Sequence, residues 1–245
     1  ILLPTNAEQE KLCSVFDYWD RTIDLTERLI AAKHERRKWL MQQLLTGKKR
    51  LPGYEEPWEE FRIGDFLNES RIPGSHGKSA KKITVKFYGL GVLAKNDIRE
   101  GSENTKYYVR RSGQFIYSKL DFLNGAFGII PESLDGYEST LDLPCFDFRG
   151  QLEPRFLLNL VSRDTFYSRF LGSAMGGRKA RRVNPSEFLA IQIKLPVLEE
   201  QQAIIGVIGT ADREIALLHA QLAALREQKK GLMQQLLTGK VRVKV

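Results

Sequence analysis

The octapeptide Met-Gln-Gln-Leu-Leu-Thr-Gly-Lys occurs twice in this 245-residue chain, at residues 41–48 and 233–240. The 192-residue offset continues upstream without a gap. Leu3-Pro4 aligns with Leu195-Pro196, Glu8-Gln9 with Glu200-Gln201, and Asp20-Arg21 with Asp212-Arg213. Over residues 1–48 against 193–240, 23 of the 48 pairs are identical. Chance does not produce this, so the chain contains an internal duplication. The same segment must therefore adopt the same local structure twice, with one unique region between the copies. Because Ile1 aligns with the end of that unique region, the natural protein is expected to carry another region of its type before Ile1.

The duplicated segment has helical spacing. In the second copy Ile204, Ile208, Ala211, Ile215, Leu218, Leu222, Leu225, Lys229, Leu232 and Leu236 follow in steps of four and three, the seam of a heptad repeat. The first copy places Leu12, Phe16, Trp19, Ile23, Thr26, Ile30, Lys33, Arg37, Leu40 and Leu44 at the matching positions. The spacing predicts helices over residues 7–46 and 199–238, each about 60 Å long. Gly47 and Gly239 read as C-caps and Asn6 as an N-cap. Each helix is the natural mate of the other in an antiparallel coiled coil. Its contacts are Phe16, Trp19, Ile23, Ile30, Leu40 and Leu44 on one side and Ile208, Ile215, Leu222, Leu232 and Leu236 on the other. The charged seam residues Lys33 and Arg37 weaken such a seam while fixing its register.

The region between the copies changes character. Short apolar runs (83–88, 114–117 and 128–130) predict strands, residues 153–170 a helix, and residues 188–195 a closing strand. The expected fold is mixed α/β, with a globular domain at 53–195 flanked by two long helical segments. These are 1–52, whose first four residues end a preceding domain, and 196–245.

Charge and motifs narrow the function. The chain carries 38 basic and 30 acidic residues, a net charge of +8, which favours a polyanionic partner. The excess is spread out, so a nucleic-acid site must be a local patch. Two cysteines, Cys13 and Cys145, form no disulfide framework. With no signal-peptide pattern, a cytoplasmic, reducing setting is expected. No apolar run approaches the roughly 18 residues of a membrane span, so no membrane partner is expected. The scattered histidines give no zinc spacing, and there is no Walker loop, nucleophile elbow or nuclease motif. Phe87-Tyr88-Gly89-Leu90-Gly91 superficially matches a methyltransferase glycine loop, but no Asn/Asp-Pro-Pro-aromatic motif accompanies it, and a strand-turn is the better reading. No cofactor, metal or catalytic residue is assigned to this chain.

Glycine-led basic runs are the best binding candidates. Arg178, Lys179, Arg181 and Arg182 follow Gly176-Gly177, placing four cations in five positions. Glycines admit close backbone approach to phosphate, and arginine forks suit phosphates or guanine edges. A second run supplies Ser75, His76, Lys78, Lys81 and Lys82 around Gly74 and Gly77. Lys119 and the pair Arg110-Arg111 are weaker candidates. The plain alternative for each run is a solvated loop. Tyr88, Tyr107 and Tyr108 read as core or rim rather than as base-stacking residues.

Several of these residues together resemble the DNA-specificity (S, or HsdS) subunit of type I restriction-modification systems. They are the Leu-Pro-x-x-x-Glu-Gln run at 195–201, the twice-used Lys-x-Leu-Met-Gln-Gln-Leu-Leu-Thr-Gly-Lys at 38–48 and 230–240, and the entry Trp58-x-x-Phe61-x-Ile63-Gly64-Asp65. Gly113-Gln114-Phe115-Ile116-Tyr117-Ser118-Lys119 and Asn124-Gly125-Ala126-Phe127-Gly128 match as well. The resemblance implies a target-recognition domain that reads one half of a split site in double-stranded DNA, and helices that space the half-sites. Those helices also dock modification (methyltransferase) subunits, which bind S-adenosylmethionine, and a restriction subunit joins the complex. It implies a subunit that is not itself catalytic. For a natural half-subunit, pairing of two copies through their helices is the expected route to a symmetric site. The competing readings are a self-contained DNA methyltransferase or nuclease, and a coiled-coil adaptor without a DNA role.

Overall fold

The duplicated segments form two long helices, α1 (Asn6–Leu44) and α5 (Leu198–Leu237), within two residues of the predicted bounds. This computed structural model describes residues 3–77, 79–95, 102–168 and 182–244. α1 is capped by Thr5 rather than by Asn6, which is itself helical. The Glu8 carboxylate accepts the Thr5 N–H at 2.9 Å, and the Glu8 N–H reaches back to Thr5 Oγ1 at 3.4 Å, a reciprocal cap that satisfies two orphan donors. Both helices end at a glycine in the left-handed region, with φ +67° at Gly47 and +72° at Gly239, as the sequence predicts.

The chain divides into two units, one of Ile1–Leu40 with Val207–Val245, the other Met41–Gly206. In the first, the seam residues Phe16, Trp19, Ile23, Ile30 and Leu40 are buried or half-buried, as are Ile208, Ile215, Leu222, Leu232 and Leu236. Leu44 is buried in the second unit. Cross-helix pairs fix an antiparallel direction. Residue numbers fall along α1 as they rise along α5 through Arg37–Asp212, Lys33–Glu214, Arg226–Glu27 and Lys229–Asp20, ending at Arg242–Glu8 beyond α5. Two of these pairs are copies of each other, because Asp20 and Lys229 stand 192 residues from Asp212 and Arg37. The Lys33, Arg37 and Lys229 interruptions are thus matched by acids on the facing helix.

The central unit is built from short antiparallel strands. β1 (Glu59–Arg62) pairs with β11 (Gln192–Leu195), so the chain enters and leaves side by side, Phe61 opposite Ile193. A four-stranded sheet runs β2 (Leu67–Ser70), β10 (Cys145–Phe148), β7 (Phe115–Tyr117), β8 (Phe127–Ile129). A three-stranded sheet runs β3 (Ile72–His76), β6 (Lys106–Val109), β9 (Glu138–Ser139), and β4 (Ile83–Val85) makes a hairpin with β5 (Val92–Ala94).

β7 shows why this sequence makes a core. Side chains alternate across a strand, and this strand is buried on both faces. Phe115 and Tyr117 join Phe122, Phe127, Phe146 and Phe188 in an aromatic cluster. Phe115 stacks on Phe188 at 5.5 Å between ring centroids. Ile116 points the other way, into a cluster with Ile83, Val85, Val92, Ala126, Ile130, Leu134 and Cys145. Burial pushes the Cys145 thiol up to about 12, so it packs as a neutral hydrophobe.

Three predicted elements are shorter than their apolar runs. The strand predicted over 83–88 ends at Val85, where a turn follows. The helix predicted over 153–170 is broken at Ser162-Arg163 into α2 (Pro154–Val161) and α3 (Asp164–Tyr167). The closing strand keeps only Gln192–Leu195, because Asn184 and Glu187 form a capping box that starts α4 (Pro185–Leu189).

Candidate nucleic-acid interface

β3 and β6 lie antiparallel with His76 opposite Lys106. After His76 the chain reverses, its carbonyl accepting the Ser79 and Ala80 N–H groups at 3.0 and 3.2 Å. The reversal carries Lys81 and Lys82 alongside β9, where the Glu138 N–H donates to the Lys81 carbonyl at 2.7 Å. Lys95 joins them through its N–H to the Lys82 carbonyl at 2.8 Å. His76, Lys81, Lys95 and Lys106 are exposed, and Lys82 is half-buried with its ammonium 5.9 Å from the Tyr107 ring centre. Backbone pairing thus brings five basic residues onto the strands and turn that adjoin Glu138.

Glu138 organises this patch. Its carboxylate accepts the Ser75 N–H at 2.8 Å and the Ser75 hydroxyl at 2.9 Å. A side chain at Gly74 would meet it at 2.6 Å, so the glycine is what lets the acid reach the loop. Ser75 is therefore engaged within the protein and ties the loop to β9.

A second basic pair forms where Lys119 and Arg182 meet. The Val183 N–H donates to the Lys119 carbonyl at 3.3 Å, and the Lys119 N–H donates to the Asp142 carbonyl at 2.9 Å. Arg182 pairs with the Asp142 carboxylate at 3.6 Å, both side chains largely exposed. The Tyr117 hydroxyl pins Val183 by donating to its carbonyl at 3.1 Å, and burial raises its pKa, so it stays a neutral donor. Both basic groups hang on one segment, residues 138–142. Four peptide steps span at most about 14 Å, roughly four steps of a DNA strand at about 3.4 Å each.

The other candidates divide. Arg178, Lys179, Arg181 and Lys78 lie outside the described residues. Arg110 is not a surface contact. It is fully buried and donates to Ser139 Oγ at 2.8 Å and to the Ser70, Leu143 and Thr140 carbonyls at 2.9–3.4 Å, with its pKa pulled down by burial. A guanidinium with five donors can replace several strand contacts at an irregular sheet junction, which sequence adjacency to Arg111 does not reveal. Nothing but their charge marks Lys95 and Lys106 in the sequence, and strand pairing alone brings them to the patch. Among the described residues no group of His, Cys, Asp or Glu is arranged to hold a metal ion, and no helix is long and apolar enough to cross a membrane.

The entry and exit motifs have structural work in the central unit. Arg50 forks onto Glu200 at 2.7 and 2.8 Å, and Trp58 Nε1 donates to the same carboxylate at 3.3 Å. Gln201 donates to the Pro196 and Gln151 carbonyls and accepts the Glu153 N–H. Gly64 lies against the Leu189 carbonyl, 3.0 Å from where a side chain would begin, and Asp65 caps the Arg62 N–H at 2.8 Å. The Leu-Pro…Glu-Gln and Trp…Gly-Asp runs therefore clamp the place where chain entry and exit meet.

The chain is 23% identical to the type I restriction enzyme MjaVIII specificity subunit of Methanocaldococcus jannaschii, over all of this chain and 62% of that protein. Its fold is similar to the HsdS subunit from Thermoanaerobacter tengcongensis, with a TM-score of 0.53 at 18% identity, covering 95% of this chain and 59% of the other. It is also similar to a type I restriction-modification S subunit from M. genitalium, with a TM-score of 0.56 at 11% identity, covering 94% and 61%. The chain thus spans about three-fifths of the length of these relatives. The family model described as the type I restriction modification DNA specificity domain matches residues 55–227, and the chain belongs to that family.

Proposed function

We propose that this chain is a non-catalytic DNA-reading part of a type I restriction-modification complex, with the central unit contacting one half of a split double-stranded site. The observation that carries the reading is the placement of two basic groups, His76/Lys81/Lys82/Lys95/Lys106 and Lys119/Arg182, on the single segment 138–142. Lysines and arginines at that spacing suit successive phosphates of a groove. Arg178, Lys179, Arg181 and Lys78 extend the same proposal.

The helices serve as spacer and as docking rod, supercoiled in the manner of their heptads. Beside its seam, α1 carries a second stripe at steps of four, three and four: Tyr18, Thr22, Leu25 and Leu29, three of them exposed apolar residues. Such a stripe fits helices of the modification subunits, which would supply S-adenosylmethionine and the methyl-transfer chemistry, with the restriction subunit joining that core. Pairing of two copies through the helices belongs to the same proposal.

Electrophoretic mobility or anisotropy titration of the complex reconstituted with modification subunits tests the reading. Changing Lys81, Lys82, Lys119 and Arg182 to Ala should weaken binding to all duplexes and lower the salt slope by about 0.9 for each phosphate no longer neutralised. Unchanged affinity with unchanged salt dependence counts against the assignment. Methyl incorporation by the isolated chain, without any added subunit, would sink the non-catalytic reading.

A further inference from the structure

The β4–β5 hairpin ends in a feature that its own stability does not explain. Tyr88 has φ 56° and ψ 32°, and Gly89 follows at φ +68°. With the Leu90 N–H donating to the Phe87 carbonyl at 3.2 Å, this is a type I′ turn, which requires positive φ at both central residues. Asn, Asp or Gly is the ordinary first central residue. A bulky side chain in the left-handed region is disfavoured, and Tyr88 is the one non-glycine with positive φ among the described residues.

The strained residue is also unburied. Tyr88 is 71% exposed, Leu90 73%, Leu93 50% and Phe87 44%. An aromatic and aliphatic tip therefore faces solvent at the end of a two-stranded arm. The tip is held firmly from beneath. The Gly89 N–H donates to the Gly125 carbonyl at 2.9 Å, and the Lys86 N–H donates to the Gly91 carbonyl at 2.9 Å. A side chain at Gly125 would begin 3.4 Å from Tyr88 Cα, and one at Gly128 would strike Val92 at 2.6 Å. Two glycines of β8 and its approach thus form the seat on which the hairpin lies.

Charge selects the occupant. Residues 81–95, the hairpin with its stem, contain Lys81, Lys82, Lys86 and Lys95 and no acidic residue. Its stem is the basic patch around Glu138. Tyr167, the end of α3, lies beside Tyr88 over Gly125, its ring 3.3 Å from where a side chain there would begin, and the Arg178–Arg182 run follows it in sequence. An apolar tip between lysines matches a nucleic-acid groove, with phosphates along its walls and apolar base surface at its floor. It matches a protein surface less well, because nothing there calls for four lysines.

We propose that Tyr88 enters a groove of double-stranded DNA and reads sequence by apolar contact with one or two adjacent base pairs, Phe87 and Leu90 flanking it and Lys86 and Lys95 on the phosphates. The inference rests on the DNA-reading function proposed above and assigns it a specificity-determining residue. Proteins use apolar wedges in this way, and aromatic contact with bases contributes to both affinity and shape readout. The type I′ turn matches the twist of the two paired strands and leaves the Tyr88 side chain exposed at the tip of the arm.

The test uses the full chain in complex with modification subunits and a pool of duplexes randomised across the bound site, sequenced before and after capture. Tyr88→Asn suits the type I′ turn better than the native residue, so the melting temperature should stay level or rise while base preference drops about tenfold at one or two adjacent positions. Tyr88→Phe should keep that preference, since the contact is apolar. A Tyr88→Asn variant with wild-type preference at every position overturns the proposal and leaves the DNA-reading function standing. A wild-type complex that enriches no sequence overturns both. A variant that keeps its base preference but no longer captures the modification subunits overturns the proposal in favour of a protein-docking tip.

Discussion

The two copies of the duplicated segment make the same ion pair in different surroundings. In the central unit Arg50 forks onto Glu200 at 2.7 and 2.8 Å, Trp58 donates to the same carboxylate, and Glu200 has no exposed side-chain surface. The duplicate of that pair, 192 residues on for the arginine and back for the acid, is Arg242 on Glu8 at 3.0 and 2.7 Å. There Arg242 is 67% exposed. The capping glycines differ in the same sense. A side chain at Gly47 would begin 3.4 Å from the Trp58 ring, while one at Gly239 would meet nothing within 4 Å. Identical sequence produces the same helix end, cap and ion pair. Both carboxylates are covered, and what differs is the arginine, 26% exposed at Arg50 and 67% at Arg242. Cover sets the strength of the pair, because Arg50 beneath Trp58 is stranded when it loses its partner, whereas Arg242 is rehydrated and screened.

That difference can be broken or sharpened by four measurements. Glu200→Ala should have the largest effect, about 3 kcal/mol in urea unfolding, since it strands Arg50 and Trp58 Nε1 together. Glu8→Ala should lower stability far less, and equal effects would refute the role given to Trp58. Next come the seam duplicates Ile30 and Leu222, only 6% and 7% exposed. Each changed to Ala should lose about 2–3 kcal/mol, and the two losses should agree closely, because here both copies are equally covered. A large disparity would show that the seam is not equivalent along its length.

Smaller still are Arg37→Ala and Lys229→Ala, duplicates that face Asp212 and Asp20. Each should cost about 0.5 kcal/mol, and the effect should vanish in high salt. A loss that persists at high salt would mean that the pair is effectively buried. The smallest effect is a titration. Arg242 and the Thr5 backbone hold the Glu8 carboxyl at about 2 instead of its ordinary 4.5. A carboxyl lowered by folding stabilises the fold above its unfolded pKa, so this contribution is complete above 4.5 and is lost as pH falls toward 2. Carbon-detected NMR should follow the shift, and Arg242→Ala should return Glu8 toward 4.5; no movement would remove Arg242 as its cause.

Much of the helical part was legible in the amino-acid order, because heptad spacing and capping glycines are local signals with one geometric meaning. The antiparallel direction also follows from charge, since Lys33, Arg37 and Lys229 need acids opposite them and find Glu214, Asp212 and Asp20. The central unit was less legible. The run 83–88 is apolar throughout most of its length, yet Val85 ends the strand because Tyr88 and Gly89 turn the chain. Arg110 and Arg111 look alike in sequence, yet one is the fully buried hub of a sheet junction and the other reaches Asp135 at the surface. Ser75 reads as a phosphate contact in sequence, and its hydroxyl is given to Glu138, 63 residues away.

The sequence by itself determined the duplication, the two helices, their seam and their caps, and with these the family resemblance, because each rests on spacing within a few turns of chain. Only the tertiary structure decided which basic residues stand together around residues 138–142, that Glu138 gathers one group and Asp142 the other, and that Tyr88 faces outward on a strained turn. Those are pairings between residues far apart in the chain, and their partners are chosen by strand register and by where glycines let backbones meet.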